Sequence, residues 1–323
     1  MIAQPALDPD LVAAAAAIPA MDLSDLADLR ARSAPAPGAE ADRDGIQVRE
    51  LAAPGLNGAP DVPIHLYVPE FVDRPLPVLL AFHGGGFVLG RAEDLDYLSV
   101  EIVRRLGIAV ANVEYRLAPE TPYPGPVDDG MAALLFVHAQ GVKIGIDPGR
   151  IAVGGSSAGG GIAAGLALRV RDEEGPSLAF QLLLSPAVDD RLSAPSMTDL
   201  IDPPVIAGPT RGLVWYHYLG LGYAGEETAD VPSYAVPARA TTLAGLPPAY
   251  IAAMEVDPLR DANIEYATRL LQAGVRTELH VHPGAFHGSV ELVPAASSSA
   301  RILEGLIDAL GRGINRHETS RQA

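Results

Sequence analysis

The sequence contains no cysteine. Disulfide staples, thiolate nucleophiles and Cys-ligated zinc or iron–sulfur centres are therefore excluded. Lysine is nearly absent as well: Lys143 is the single one, and the other basic residues are arginines. With the abundant alanine this reads as coding bias and carries no function. Positive charge is scarce overall, with 23 Lys and Arg against 40 Asp and Glu and a formal net charge of -17 over 323 residues. Such a chain is poorly suited to a phosphate backbone or an anionic bilayer, so neither nucleic acid nor membrane is an expected partner. Long apolar runs are missing too. "LVAAAAAI" at 11–18 is too short to span a bilayer, and no Lys or Arg precedes it as in a secretory leader. The cytoplasm is the expected location. No repeat at solenoid spacing occurs.

What is present is a large apolar content, 48%, enough for a sizeable core in one large domain with an accessory piece. The 33 Gly and 29 Pro follow no period and read as turns. Residues 7–32 predict two short helices, with Asp8 or Ser24 as caps and Pro9 in a first turn. "APAPGAEADRDG" follows as a linker. "IQVREL" and "VPIHLYV" alternate like strands of an antiparallel edge, and "PVLLAF" is a solid apolar run suited to a strand buried on both faces. Beyond it, strands and helices alternate to the end of the chain, which predicts an α/β fold with a mostly parallel sheet. Residues 190–245 break that rhythm and predict an insertion over the sheet, packed with the N-terminal helices as a cap. The expected helix faces, Leu11, Val12, Ile18, Leu26 and Leu29, would meet Trp215, Tyr216 and Tyr218 of the insertion.

"IAVGGSSAGGGIAAGLALRV" at 151–170 places a knot of Gly and Ser between a strand and a helix. Residues 155–159 match G-x-S-x-G centred on Ser157. Small residues two before and two after the serine permit a sharp turn that presents Oγ beside a helix N-terminus. Ser156 sits one place early and reads as a small residue tolerated in the turn. A serine hydroxyl needs a base, an orienting carboxylate and an oxyanion hole. "HGGGF" at 83–87, directly after the buried strand, offers unshielded N–H groups at Gly85 and Gly86, and Ala158 offers the one after the serine. His83 is assigned a bracing role in that loop. His287 is the base candidate, because it alone follows the last predicted strand in a Gly-flanked loop. Asp257, just past a strand and before Pro258, is the acid candidate, with Glu255 as rival and Asp261 expected as the next helix's N-cap.

These residues carry a resemblance. "HGGG" at 83–86, "YRLAPE" at 115–120, "GSSAGG" at 155–160, "DPLRD" at 257–261 and "HPGAFHG" at 282–288 together resemble the hormone-sensitive-lipase-like (bacterial family IV) carboxylesterases. The resemblance implies an α/β-hydrolase core with flanking helices and a helical cap, divided as 1–45 (cap helices and linker), 46–189 (core), 190–245 (cap insertion) and 246–323 (core). It implies a Ser157–Asp257–His287 triad, oxyanion donors at Gly85, Gly86 and Ala158, and Arg116 and Glu120 tying the core beneath the site. Phe87, Trp215 and Tyr216 are expected substrate contacts. Ser156 departs from the family's usual Asp. The expected activity is hydrolysis of small, uncharged, short- to medium-chain carboxylic esters through an acyl-enzyme, with no cofactor and no metal. The expected partner is the ester itself, and a homodimer stays open. A ligand-binding receptor of the same fold, and acyl transfer or lactone or amide hydrolysis, are the alternatives.

Overall fold

The computed structural model describes residues 4–18, 23, 25–32, 41–71, 75–206, 208, 210–220 and 230–315. Its order is α1 (Pro9–Ala17), α2 (Leu26–Arg32), β1 (Ile46–Ala53), β2 (Val62–Pro69), β3 (Leu76–Phe82), α3 (Asp96–Leu106), β4 (Ala109–Val113), α4 (Gly125–Ile144), β5 (Ile146–Ser156) and α5 (Ala158–Asp172). Then follow β6 (Leu178–Leu184), α6 (Pro195–Asp199), α7 (Thr210–Leu219), β7 (Ala249–Val256), α8 (Arg260–Gln272), β8 (Thr277–Phe286), α9 (Ser289–Leu292) and α10 (Ser297–Ile314). Eight strands form one sheet in the order β1-β2-β4-β3-β5-β6-β7-β8. β1 and β2 pair antiparallel, as does β2 with β4, and every pairing from β4 through β3 to β8 is parallel.

Alternation along the strands splits the core into two layers. Val78, Leu80 and Phe82 of β3 face one cluster with Met131, Leu134, Ile162 and Leu166 of α4 and α5. Leu79 and Ala81 face the other, with Val100 and Val103 of α3 and Ile302 and Leu306 of α10. This is the two-sided burial that a solid apolar strand requires. Among the described residues, 190–245 contribute helices and loops but no strand. The insertion is tied down at its base by a buried ion pair, Arg239 Nε to Asp190 Oδ1 at 2.7 Å. Asp261, expected as an N-cap, lies inside α8 instead. It accepts from Ser196 N–H at 2.7 Å while its own N–H donates to Ser196 Oγ, and so docks α6 on α8. No helix among the described residues is long and apolar enough to cross a membrane.

The N-terminal helices form as read, with Asp8 capping α1 through the Asp10 N–H and Pro9 in the first turn; Ser24, Ser33 and residues 34–40 of the linker lie outside the described residues. Their docking differs from the expectation. α1 lies against β8 and α10, where Asp8 N–H donates to Gly284 O at 2.9 Å and Asp10 accepts from Ser297. Leu11 is fully buried in the cluster that holds Phe286 and Val290. α2 packs on the segment after the glycine loop, with Leu23 and Leu29 beside Val88, Leu89 and Ala118 and only Val214 from the insertion. Trp215 and Tyr218 pack on Phe87 of the glycine loop rather than on the N-terminal helices. Glu120 pairs with Arg30 of α2 at 2.8 Å, fastening that helix rather than the core.

Leu11→Ala should therefore lower stability by about 2–4 kcal/mol, because the side chain is 0% exposed. Val12→Ala, at a position 51% exposed, should stay within ~0.5 kcal/mol. Urea unfolding of the two variants beside the parent checks the contrast; equal effects would mean that α1 is not docked through Leu11.

Candidate active site

The reactive groups stand at the carboxyl ends of parallel strands. His83 directly follows β3, Ser157 follows β5, Asp257 follows β7 and His287 follows β8. In a parallel sheet these ends converge on one edge, where loops are free to carry function.

The turn at Ser157 has a steric cause. A Cβ at Gly155 would lie 2.5 Å from Phe82 O, and one at Gly159 would lie 2.0 Å from Phe82 O and 2.4 Å from His83 O. Only glycine lets β5 and α5 pass so close to the end of β3. Between them Ser157 is held at φ 54 and ψ -119, a positive φ that costs a non-glycine residue on the order of 1–3 kcal/mol. Its N–H donates to Leu184 O at 2.9 Å and its carbonyl accepts from Ala187 N–H at 2.9 Å. Ser156 remains in the strand, paired with Leu184.

Ser157 Oγ lies 2.8 Å from His287 Nε2, and His287 Nδ1 lies 2.8 Å from Asp257 Oδ2. The tautomer that satisfies both contacts has the hydroxyl donating to Nε2 and Nδ1–H donating to the carboxylate. Leu259 N–H donates to the other carboxylate oxygen at 2.9 Å. Asp257 is fully buried and His287 nearly so. Burial by itself disfavours the imidazolium. The Asp257 carboxylate, through its charge and its hydrogen bond, and then Glu291, act the other way, and the His287 pKa ends above its ordinary value. Glu255, the rival acid, is engaged elsewhere, accepting from Gly284 N–H at 2.8 Å.

The glycine loop lies against this turn: a Cβ on Gly84 would stand 3.5 Å from Ser157 Cβ. Gly85 and Gly86 have φ of 113 and 60, values that L side chains avoid. Among the described residues, no backbone carbonyl accepts from the N–H of Gly85, Gly86 or Ala158. Phe87 anchors the loop at φ 65, stacked on Tyr218 with 3.8 Å between ring centroids and tilted against Trp215 at 5.3 Å. His83 braces it from behind, with Nδ1 2.7 Å from Gly84 O and the ring stacked on Tyr115 at 4.1 Å. Burial, with the nearby Arg91 charge, pushes the His83 pKa down to about 4 against the opposing Gly84 bond, so the ring is neutral at pH 7. Arg116 is bound to buried Asp129 through both guanidinium edge and backbone N–H, which fixes the segment after β4 to α4.

A cavity of about 400 Å³ opens over Ser157 and His287, and its wall includes Gly85, Gly86, Phe87 and Trp215. Tyr216 is not on that wall. One residue further along α7 turns a side chain by about 100°, and Tyr216 packs edge-on against His217 instead. Residues the sequence reading passed over also reach the cavity: Val214, Arg211, Asp94 and Glu291. The only prior signal for Glu291 was a charge amid apolar neighbours in "SVELV".

Comparison with known proteins agrees with this geometry. The family model described as alpha/beta hydrolase fold matches residues 79–291. Carboxylesterase NlhH of Mycobacterium tuberculosis is 40% identical over 268 residues, covering 80% of this chain and 79% of that protein. Esterase LipI of the same organism is 40% identical over 259 residues, covering 79% of each. Among solved structures, a bacterial heroin esterase superposes with a TM-score of 0.92 at 52% identity, covering 96% of this chain and 98% of that one. Esterase LipW from Mycobacterium marinum gives 0.86 at 36% identity, with 97% and 98% covered. With these relatives, the serine turn, the glycine loop and the sheet order described above, the chain belongs to the hormone-sensitive-lipase-like carboxylesterases of the α/β-hydrolase fold.

Proposed function

We infer that Ser157, His287 and Asp257 are the nucleophile, base and orienting acid of a serine carboxylesterase. The continuous hydrogen-bond line from Ser157 Oγ through His287 to Asp257 carries this reading. As Oγ attacks an ester carbonyl, His287 Nε2 takes the hydroxyl proton, and the adjacent Asp257 carboxylate stabilises the imidazolium formed. The N–H groups of Gly85, Gly86 and Ala158 face the developing oxyanion, with the N-terminus of α5 adding its dipole. His287 then protonates the departing alcohol. A water deprotonated by the same ring attacks the acyl-enzyme and releases the acid.

The cavity, with apolar walls at Phe87, Val214 and Trp215, suits short to medium chains. We assign Phe87 and Trp215 as substrate contacts and withdraw Tyr216. The insertion at 190–245, together with α2, serves as the cap in this reading, and α1 is a clasp on the core. The receptor alternative is not favoured, since the nucleophile, base and acid stand in hydrogen-bond order and the relatives named above are esterases.

Ser157→Ala should lower turnover of p-nitrophenyl acetate by at least ~10³-fold with an unchanged unfolding midpoint, whereas Ser156→Ala should cost little. Loss of activity in Ser156→Ala alone would put the nucleophile in the wrong register. The pH profile gives a separate check. The base must be neutral, and its folded pKa is raised above 6.5, so kcat/KM should fall on the acid side with a midpoint above that value. Asp257→Asn removes the carboxylate responsible; the midpoint should move to lower pH while turnover drops by up to ~10⁴-fold. A midpoint that stays in place in that variant would contradict the assigned pair.

A further inference from the structure

The cavity wall carries four ionisable side chains: His287, Asp94, Arg211 and Glu291. Three of them have partners. His287 is bound to Ser157 and Asp257. Asp94 accepts from Arg91 N–H at 3.0 Å. The Arg211 guanidinium donates to the carbonyls of Met197 and Leu200, which commits its donors to the backbone of the insertion. Glu291 differs. Both of its carboxylate oxygens are buried, and neither has a hydrogen-bond partner among the described residues.

A buried carboxylate without a donor is uncommon, because the lost hydration goes uncompensated. Glu291 sits one helical turn beyond His287, on the four-residue helix α9. Glu291 contributes to the cavity wall, with both carboxylate oxygens just behind its surface, and its charge is felt at the His287 ring. Water screens it little there, so a cation entering the cavity interacts with it across a low dielectric. The protein as a whole adds to this: at a net charge of -17 its field draws cations inward. The one cationic side chain on the wall, Arg211, donates to backbone carbonyls and forms no hydrogen bond with Glu291 among the described residues.

We propose that Glu291 is a specificity residue that selects esters carrying a protonated amine, the ammonium group settling on the Glu291 side of the cavity. This rests on the esterase reading of the same site, and it departs from the uncharged esters expected from the sequence.

The test uses two esters of nearly identical shape. 2-(Dimethylamino)ethyl acetate is protonated at pH 7, and 3-methylbutyl acetate is its neutral counterpart. The two alcohols differ as leaving groups, so the informative quantity is the ratio of their kcat/KM values, compared between the parent enzyme and Glu291→Gln. That comparison cancels the leaving-group difference. The preference for the ammonium ester should fall by about ten-fold in Glu291→Gln, mainly through KM; any change common to both esters that comes from the His287 ring cancels in the ratio. Added salt should reduce the parent's preference and leave the variant's ratio flat. An unchanged ratio would overturn the proposal. So would an equal fall for both esters, which would make Glu291 a positioning residue acting through His287. If the parent hydrolyses neither ester, the esterase reading itself fails, and the proposal falls with it.

Discussion

The site depends on one close approach of backbone to backbone. The chain leaves β5, turns at Ser157 and enters α5 within contact distance of the carbonyls that end β3, and a Cβ at Gly155 or Gly159 would be 2.0–2.5 Å from those oxygens. Neither carbonyl can move far, because β3 is the central strand held by β4 on one side and β5 on the other. The turn therefore has little freedom, and Ser157 takes its positive φ because no relaxed alternative fits. From this follow the exposure of Oγ, the placement of the α5 N-terminus beside it and the contact of the glycine loop with the serine.

The second layer of the site is electrostatic. Two histidines flank the serine turn, both buried, and their surroundings drive them apart. His83 has only neutral hydrogen-bond partners and a nearby arginine, so burial dominates and keeps it uncharged. His287 faces two carboxylates that overcome burial and raise its proton affinity. One ring is a fixed brace for the loop, and the other holds a proton more tightly than a free imidazole. Identical side chains thus take different parts because of what lies within hydrogen-bond reach.

Much of this was legible in the sequence. The solid apolar run of β3, the alternation in β1 and β2 and the strand–helix rhythm follow from local periodicity. Ser157, Asp257 and His287 could be chosen because each falls just after a strand, where a parallel sheet gathers its loops. Tertiary packing was not legible. An amphipathic pattern shows that Leu11 and Leu29 must be buried, but not against what; the helices dock on β8 and on Val88–Leu89, while Trp215 and Tyr218 pack on Phe87. Asp261 read as a cap because Asp before a helix often is one, yet Ser196 from the insertion competes for it. Glu291 gave almost no signal, since a lone acidic residue on a short helix is ordinarily solvated. Positions fixed by backbone geometry were readable, and positions fixed by a distant partner were not.

The central claim is that one serine, made reactive by the turn it occupies, forms the acyl-enzyme. Intact-mass measurement after brief treatment with a fluorophosphonate, followed by peptide mapping, tests it most directly. The account predicts one adduct per chain, located on Ser157 within the peptide that contains GSSAGG, and no adduct when His287 is replaced by Ala. An adduct on Ser156, or labelling that persists in the Ser157→Ala protein, would contradict it.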